Sequence, residues 1–259
     1  MLLGVNIDHI AVLREARAIN DPNPLDALGI CKLSGADQIT IHLREDRRHI
    51  HDEDLRKVMD ISQLPVNLEC SINEEMVKIA CHHKPHRVTL VPENREEVTT
   101  EGGLDLEKNF EQIKKVIKQL QENSIEVSLF IDPCEKMIKL SKDLNAQWIE
   151  LHTGSYANIY AMLFSGLDKT HHSIKELELP RQQLQKKLKN ALKDIKKTAK
   201  YADSLGLKVA AGHGLNYQNV TAVKDIKSIK ELNIGQSIVA RSVFTGLSKA
   251  ITDMRELIS

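Results

Sequence analysis

Short apolar, β-branched runs alternate along the chain with longer stretches whose apolar residues recur every three or four positions. The first kind reads as strands buried in a sheet, the second as helices that cover it. Eight strand candidates are Leu2 to Ile7, the run opening at Gln38, Val66 to Leu68, Arg87 to Val91, Glu126 to Ile131, Trp148 to His152, Leu207 to Ala211 and Leu232 to Gly235. Helices are expected at about Pro24 to Leu33, Asp52 to Ile61, Asn73 to Cys81, Leu106 to Asn123, up to Leu144, Arg181 to Leu205, Val223 to Ile229 and Ser237 to Ile258. Nearly every pair of strands is therefore separated by a helix, the crossover that parallel neighbours need. Eight such units in one domain of ~250 residues suit an α/β fold closed as a (β/α)8 barrel. An open doubly wound sheet is the alternative, but no GxGxxG follows the first strand.

Local signals support these boundaries. Ser34-Gly35 stops the first helix where glycine suits the position after the cap. The acidic entry Asp52-Glu53-Asp54 suits a helix dipole. The helix from Arg181 carries Leu184, Leu188, Leu192, Ile195 and Ala199 at helical spacing. No low-complexity linker divides the chain, so residues 1–259 are read as one barrel domain. About 158–180 is read as an insertion after the sixth strand, an extra segment without a clear role.

Composition narrows the classes. The 259 residues include 36 Lys+Arg and 36 Asp+Glu, a balance that calls for neither nucleic acid nor an anionic membrane. No apolar run approaches the ~20 residues of a membrane span. The start, Met1 to Asp8, lacks the basic segment of a signal peptide, and a cytoplasmic location is expected. Cys31, Cys70, Cys81 and Cys134 show no CxxC spacing and are expected as reduced thiols.

The second strand turns abruptly into His42-Leu43-Arg44-Glu45-Asp46-Arg47-Arg48-His49. Charge of that density is costly to bury unpaired, so this strand delivers His42, Arg44 and His49 to one end of the sheet. The other strand ends supply Asn6 and Asp8, Glu69, Glu93, Asp132, Glu150 and His152, and His213. In a barrel these C-terminal ends converge on the face that carries the active site. Imidazole, carboxylate and guanidinium together suit proton transfers on an anionic substrate. Gly212-His213-Gly214 and Gly235-Gln236-Ser237 stand where barrels bind phosphate through backbone N–H groups.

Blander readings stand beside these. Asp8 pairs with Arg14 or Arg17; His42 and His213 are satisfied core histidines; Glu69 is a buried carboxylate with a structural partner. Arg47 and Arg48 are solvated or salt-bridged, His82 and His83 are structural, and the Lys-rich face from Lys186 to Lys200 is solvated. His171-His172 has no partner spacing that makes a metal site.

Gly4 to Ile10, His42 to Ile50, Asn67-Leu68-Glu69, Glu97 to Asp105 and Ala211 to Leu215 resemble the pyridoxine 5′-phosphate synthase family, a likeness that runs from the first strand to the last helix. The resemblance implies a (β/α)8 barrel assembled as a homo-octamer. It implies condensation of 3-amino-2-oxopropyl phosphate with 1-deoxy-D-xylulose 5-phosphate to pyridoxine 5′-phosphate, phosphate and water. It makes His42 and Glu69 a general acid/base pair, His213 a proton donor and Glu150 a transition-state stabiliser. It assigns Asn6, Arg17, Gly214, Gly235 and Gln236 to the aminoketone phosphate, and Asp8, His9, Arg44, His49 and Thr99 to the xylulose phosphate. No metal or other cofactor is implied. Gln236 stands where the family leads us to expect histidine, which leaves backbone contacts intact but not a side-chain role. Two competing classes remain: a metal-dependent barrel hydrolase or aldolase, and a non-catalytic barrel that binds phosphates or RNA through its Lys-rich helix.

Overall fold

The computed structural model describes residues 1–93 and 102–259. The chain runs β1 (Leu2–Asn6), α1 (Asp8–Glu15), α2 (Ala27–Leu33), β2 (Gln38–His42), α3 (Asp52–Ile61), β3 (Val66–Cys70), α4 (Glu74–His83) and β4 (Arg87–Leu90). It continues α5 (Phe110–Glu122), β5 (Glu126–Ile131), α6 (Glu135–Asp143), β6 (Trp148–His152), α7 (Gly154–Phe164) and α8 (Arg181–Ser204). It ends β7 (Lys208–Gly212), α9 (Val220–Lys224), β8 (Glu231–Ile234), α10 (Gln236–Thr245) and α11 (Leu247–Ile258). The strands pair in sequence order, all parallel, and β8 closes on β1. This is the expected (β/α)8 barrel.

Three local expectations change. Between β1 and Pro24, where no helix is expected, the chain forms α1, whose short amphipathic run, Ile10-Ala11-Arg14, turns inward. The last helix is two, broken at Gly246, whose φ of +78° is open to glycine without strain. Within 158–180 the chain completes α7 and then makes two 3-10 turns, Leu167–Lys169 and Lys175–Leu177. Leu167, Ile174, Leu177 and Leu179 pack there on a small cluster of Ile159, Met162, Leu163 and Leu184, so the segment lies against α7 and α8.

The strands alternate strictly. One set (Leu3, Val5, Ile39, Ile41, Leu68, Val88, Leu129, Ile149, Val209, Leu232) joins the apolar layer between sheet and helices. The other set faces the barrel axis and is polar. Arg87 Nη1 on β4 donates to Glu231 Oε1 on β8 at 2.8 Å, across the full width of the barrel. Gln38 Nε2 reaches the same oxygen at 3.2 Å, and the Arg87 guanidinium lies 3.7 Å from the centre of the Trp148 ring. One layer higher, Thr40 Oγ1 donates to Asn233 Oδ1 at 3.3 Å, Thr89 Oγ1 to Asn67 Oδ1 at 2.9 Å, and Asn233 Nδ2 to Glu150 Oε2 at 2.7 Å. The run at Gln38 is thus buried on both faces, but its inner face is hydrogen-bonded rather than apolar. Two small residues make the polar layer possible: a Cβ at Gly4 would overlap Asn233 Oδ1, and one at Gly212 would overlap Glu150 Oε1.

Candidate active site

The C-terminal strand ends do converge. Asn6 closes β1 and Asp8 opens α1. Their side chains lock: Asn6 Nδ2 donates to Asp8 Oδ2 at 2.8 Å, and the Asp8 backbone N–H donates back to Asn6 Oδ1 at 2.9 Å. Asp8 Oδ1 also accepts the backbone N–H of His42 at 2.9 Å, tying β1 to β2. Asp8 therefore pairs with neither Arg14 nor Arg17. Burial nevertheless pushes its carboxyl up to about 7, against the lowering pull of these bonds and of Arg44.

His42 Nδ1 stands 3.9 Å from Glu69 Oε2 on the neighbouring strand. That spacing would make an ion pair if the ring were protonated, yet burial, together with the positive charge of Arg44, His49 and Arg48, pushes the imidazole down to about 3. Glu69 moves the other way: burial raises it well above the ordinary range, and the nearby carboxyls of Glu150 and Asp8 raise it further. We read the pair as a neutral imidazole beside a protonated acid. Glu150, raised to about 7 by burial despite its bond from Asn233, continues the carboxyl row inward.

The loop after β2 carries the cations. Arg44 Nε lies 3.5 Å from Glu93 Oε1, and Glu93 Oε1 accepts the backbone N–H of Glu45 at 2.7 Å. His49 Nδ1 accepts the backbone N–H of Ile50 at 2.9 Å, so its proton resides on Nε2, a donor available to an anion. Burial and the charges of Arg44, His9 and Arg48 hold His49 at about 4. The loop itself is pinned from below: buried Arg14 donates to the His49 carbonyl at 2.7 Å and grips Asp54 with two bonds of 2.8 and 2.7 Å. Arg47 and Arg48 are salt-bridged, to Asp52 and Glu75 and to Asp46.

Across the mouth, His213 follows β7 with φ +78°, a conformation rare for a residue with a side chain. Thr153 Oγ1 holds it there, bonded to the carbonyls of Gly212 and His213 at 2.7 and 2.6 Å. Its accessible surface is open, but the surrounding protein still lowers its imidazole to about 4, with His152 and His9 adding repulsion. His9, lowered by burial, lies close enough to press on both His213 and His49, and its Nδ1 has no partner among the described residues. Gly214 follows at φ +77°. Gly235 precedes α10, and Gln236, the first residue of that helix, is exposed.

Two expected site residues stand apart. Arg17 is exposed beyond the end of α1 and makes no ion pair or side-chain hydrogen bond among the described residues. Thr99 lies outside the described residues. His82 and His83 end α4, and His171 and His172 stack on each other at 3.9 Å on the surface. Two contributors carried no assigned role in the sequence reading. Asn233 holds Glu150, and its signal was a lone amide inside an apolar strand. The Arg14–Asp54 pair holds the His49 loop, and no local pattern announces it, because the partners are 40 residues apart. Among the described residues no three His, Cys, Asp or Glu side chains gather as a metal-ligand group, and no helix is long and apolar enough to cross a membrane.

Comparison with known proteins bears on the fold and the family. The chain is 13% identical, with a TM-score of 0.61 and full coverage of both chains, to a 3-hexulose-6-phosphate synthase structure. It is 12% identical, TM-score 0.59, to a mutant tryptophan synthase alpha-subunit from Pyrococcus furiosus, covering 98% of this chain and 97% of that one. At such identities the likeness is one of fold. Pyridoxine 5′-phosphate synthase of Aliarcobacter butzleri is 69% identical over 258 residues, covering 100% of this chain and 99% of the relative. The enzyme of the same name from a Sulfurovum species is 64% identical, with full coverage of both. The model of the family described as pyridoxal phosphate biosynthesis protein PdxJ matches residues 3–259. This chain belongs to the PdxJ family, whose curated members similar to it are named pyridoxine 5′-phosphate synthase.

Proposed function

We propose that the mouth of this barrel condenses 3-amino-2-oxopropyl phosphate with 1-deoxy-D-xylulose 5-phosphate, releasing pyridoxine 5′-phosphate, phosphate and water. The observation that carries this reading is the His42–Glu69 contact, an imidazole Nδ1 3.9 Å from a carboxyl whose neutral form burial favours, beside a second carboxyl, Glu150. Imine formation, departure of phosphate and ring closure each take a proton from one atom and give one to another. A pair poised in opposite protonation states serves both directions. His213 sits across the mouth as proton donor, and Glu150, fixed by Asn233, stabilises the transition state.

The phosphates take two margins of the mouth, one cationic and one of backbone N–H groups and amides. Asp8, His9, Arg44, His49 and Thr99 receive the xylulose phosphate, with the His49 Nε2–H as a donor. Asn6, Gly214, Gly235 and Gln236 receive the aminoketone phosphate at the start of α10, with Arg17 as the outlying member. The same reading makes the chain one barrel domain, with 158–180 as an insertion on it. It also includes a cytoplasmic location and a homo-octamer; exposed Val12 and Leu13 on α1 and exposed Val243 and Phe244 on α10, two helices in contact, offer apolar surface for self-association. Sedimentation of the purified protein tests that assembly.

The reaction is tested with metal-stripped protein given both phosphorylated substrates, following pyridine-ring absorbance and phosphate release together. Signal in both channels is expected. Phosphate without a ring, or activity that returns only with a divalent ion, would refute this chemistry.

A further inference from the structure

Asp132 follows β5 directly and His152 ends β6; the parallel register that sets Ile131 against Leu151 brings the two side by side. His152 Nδ1 lies 3.1 Å from Asp132 Oδ1. That bond, joined by one from the Gly103 backbone N–H, keeps the Asp132 carboxyl below its usual range, so it is an anion at neutral pH. An anion at Nδ1 fixes the proton on that nitrogen and turns the lone pair of Nε2 outward. Nε2 is buried and has no hydrogen-bond partner among the described residues. A structural histidine would satisfy both ring nitrogens.

The ring is also held on every side. Phe130 packs at 4.9 Å between ring centres and His213 at 4.8 Å with the planes 70° apart. A Cβ at Gly154 would come within 2.5 Å of His152 Nε2 and 3.1 Å of His213 Cδ2, so only glycine lets the two imidazoles meet over that position. His213 in turn occupies its unusual backbone conformation because Thr153, the residue after His152, holds its carbonyl.

We propose that Asp132 and His152 form a positioning dyad for His213. Asp132 fixes the tautomer and angle of His152, and His152 fixes the ring of His213 against the reaction centre. This rests on the reading of His213 as proton donor.

The test uses Asp132→Asn first, because the carboxylate is more than half exposed and the change spares the fold. His152→Gln is the second variant, and each is also made in a His213→Gln background. With both phosphorylated substrates, D132N and H152Q are each expected to lower kcat about 10- to 100-fold with KM within about twofold, and to cost nothing further once His213 is gone. Wild-type kcat in D132N and H152Q would overturn the dyad. So would equal losses in both backgrounds, since a role independent of His213 is not positioning of His213. If H213Q alone keeps full kcat, the donor assignment fails, and a loss in D132N beside it would make His152 act on its own account.

Discussion

The floor and the mouth of this barrel are built from the same residue types and handle them oppositely. At the floor, Arg87 and Glu231 are fully buried and charged against each other, with Gln38 and the Trp148 ring completing the contacts. At the mouth, Asp8, Glu69 and Glu150 are pushed up and His42, His49 and His213 pushed down, so burial neutralises acids and bases alike. Paired charge closes a structure. Neutral groups with strained titrations leave a site that a charged ligand completes.

The sharpest way to separate the two ends is a pair of carboxylate substitutions, one isosteric and one truncating. Glu69→Gln keeps the shape of a carboxyl whose neutral form burial favours, so the thermal midpoint should stay within about 2 °C while kcat falls roughly 10²- to 10⁴-fold. Product formation and a melt on the same sample check both halves; intact turnover would remove Glu69 from the proton pathway. Glu231→Ala does the reverse. It leaves the Arg87 charge buried without its partner at a cost of about 3–5 kcal/mol, a fall of roughly 10 °C in midpoint. KM and kcat of the surviving folded protein should stay near wild type, and a selective loss of kcat would show that the floor reaches the chemistry.

The outer face of this architecture is plain in the sequence and the inner face is not. Ile, Leu and Val on alternate positions mark eight strands, and the ionisable residues at their ends mark the mouth, because both signals are local. The inner network has no local signal. Thr40 meets Asn233 and Gln38 meets Glu231 across 193 residues, Arg87 meets Glu231 across 144, and Asn233 meets Glu150 across 83. Only barrel closure makes them neighbours, so Gln38-Ile39-Thr40-Ile41 reads as a simple core run until its partners are placed. The same limit hid α1: Asp8 looked like the end of a strand, because its carboxyl is held back by Asn6 and across by His42, 34 residues away.

Titration of the mouth should also be visible in stability. A carboxyl raised to about 7 binds its proton in the folded chain at pH values where the unfolded chain has lost it. Stability therefore falls as pH rises from about 4.5 to about 7. Glu150→Gln removes that dependence and keeps an acceptor for Asn233. Its midpoint should match wild type near pH 4 and exceed it at pH 7 by up to about 3 kcal/mol, or roughly 6–12 °C. Melts across that range decide it: a variant less stable than wild type at pH 7 would mean that Glu150 is ionised and paired in the folded state.

The histidines offer the smallest effect and the most direct reading of the mouth as a site awaiting charge. Their imidazoles are held at about 3 or 4 by burial and by one another's repulsion. A bound phosphate brings a charge of about −1.5 to −2 and raises the pKa of any ring it touches. Between the free and bound values, binding takes up protons. At pH 7.5, where inorganic phosphate is itself mostly dianionic, uptake should be a fraction of one proton, roughly 0.1 to 0.5. Calorimetry in two buffers of different ionisation heat measures it. The uptake should shrink in His49→Gln if, as proposed, the His49 ring meets the anion through its Nε2–H and takes the second proton on Nδ1, releasing the Ile50 N–H. Binding without uptake in the wild type, or uptake unchanged in H49Q, would place the anion elsewhere.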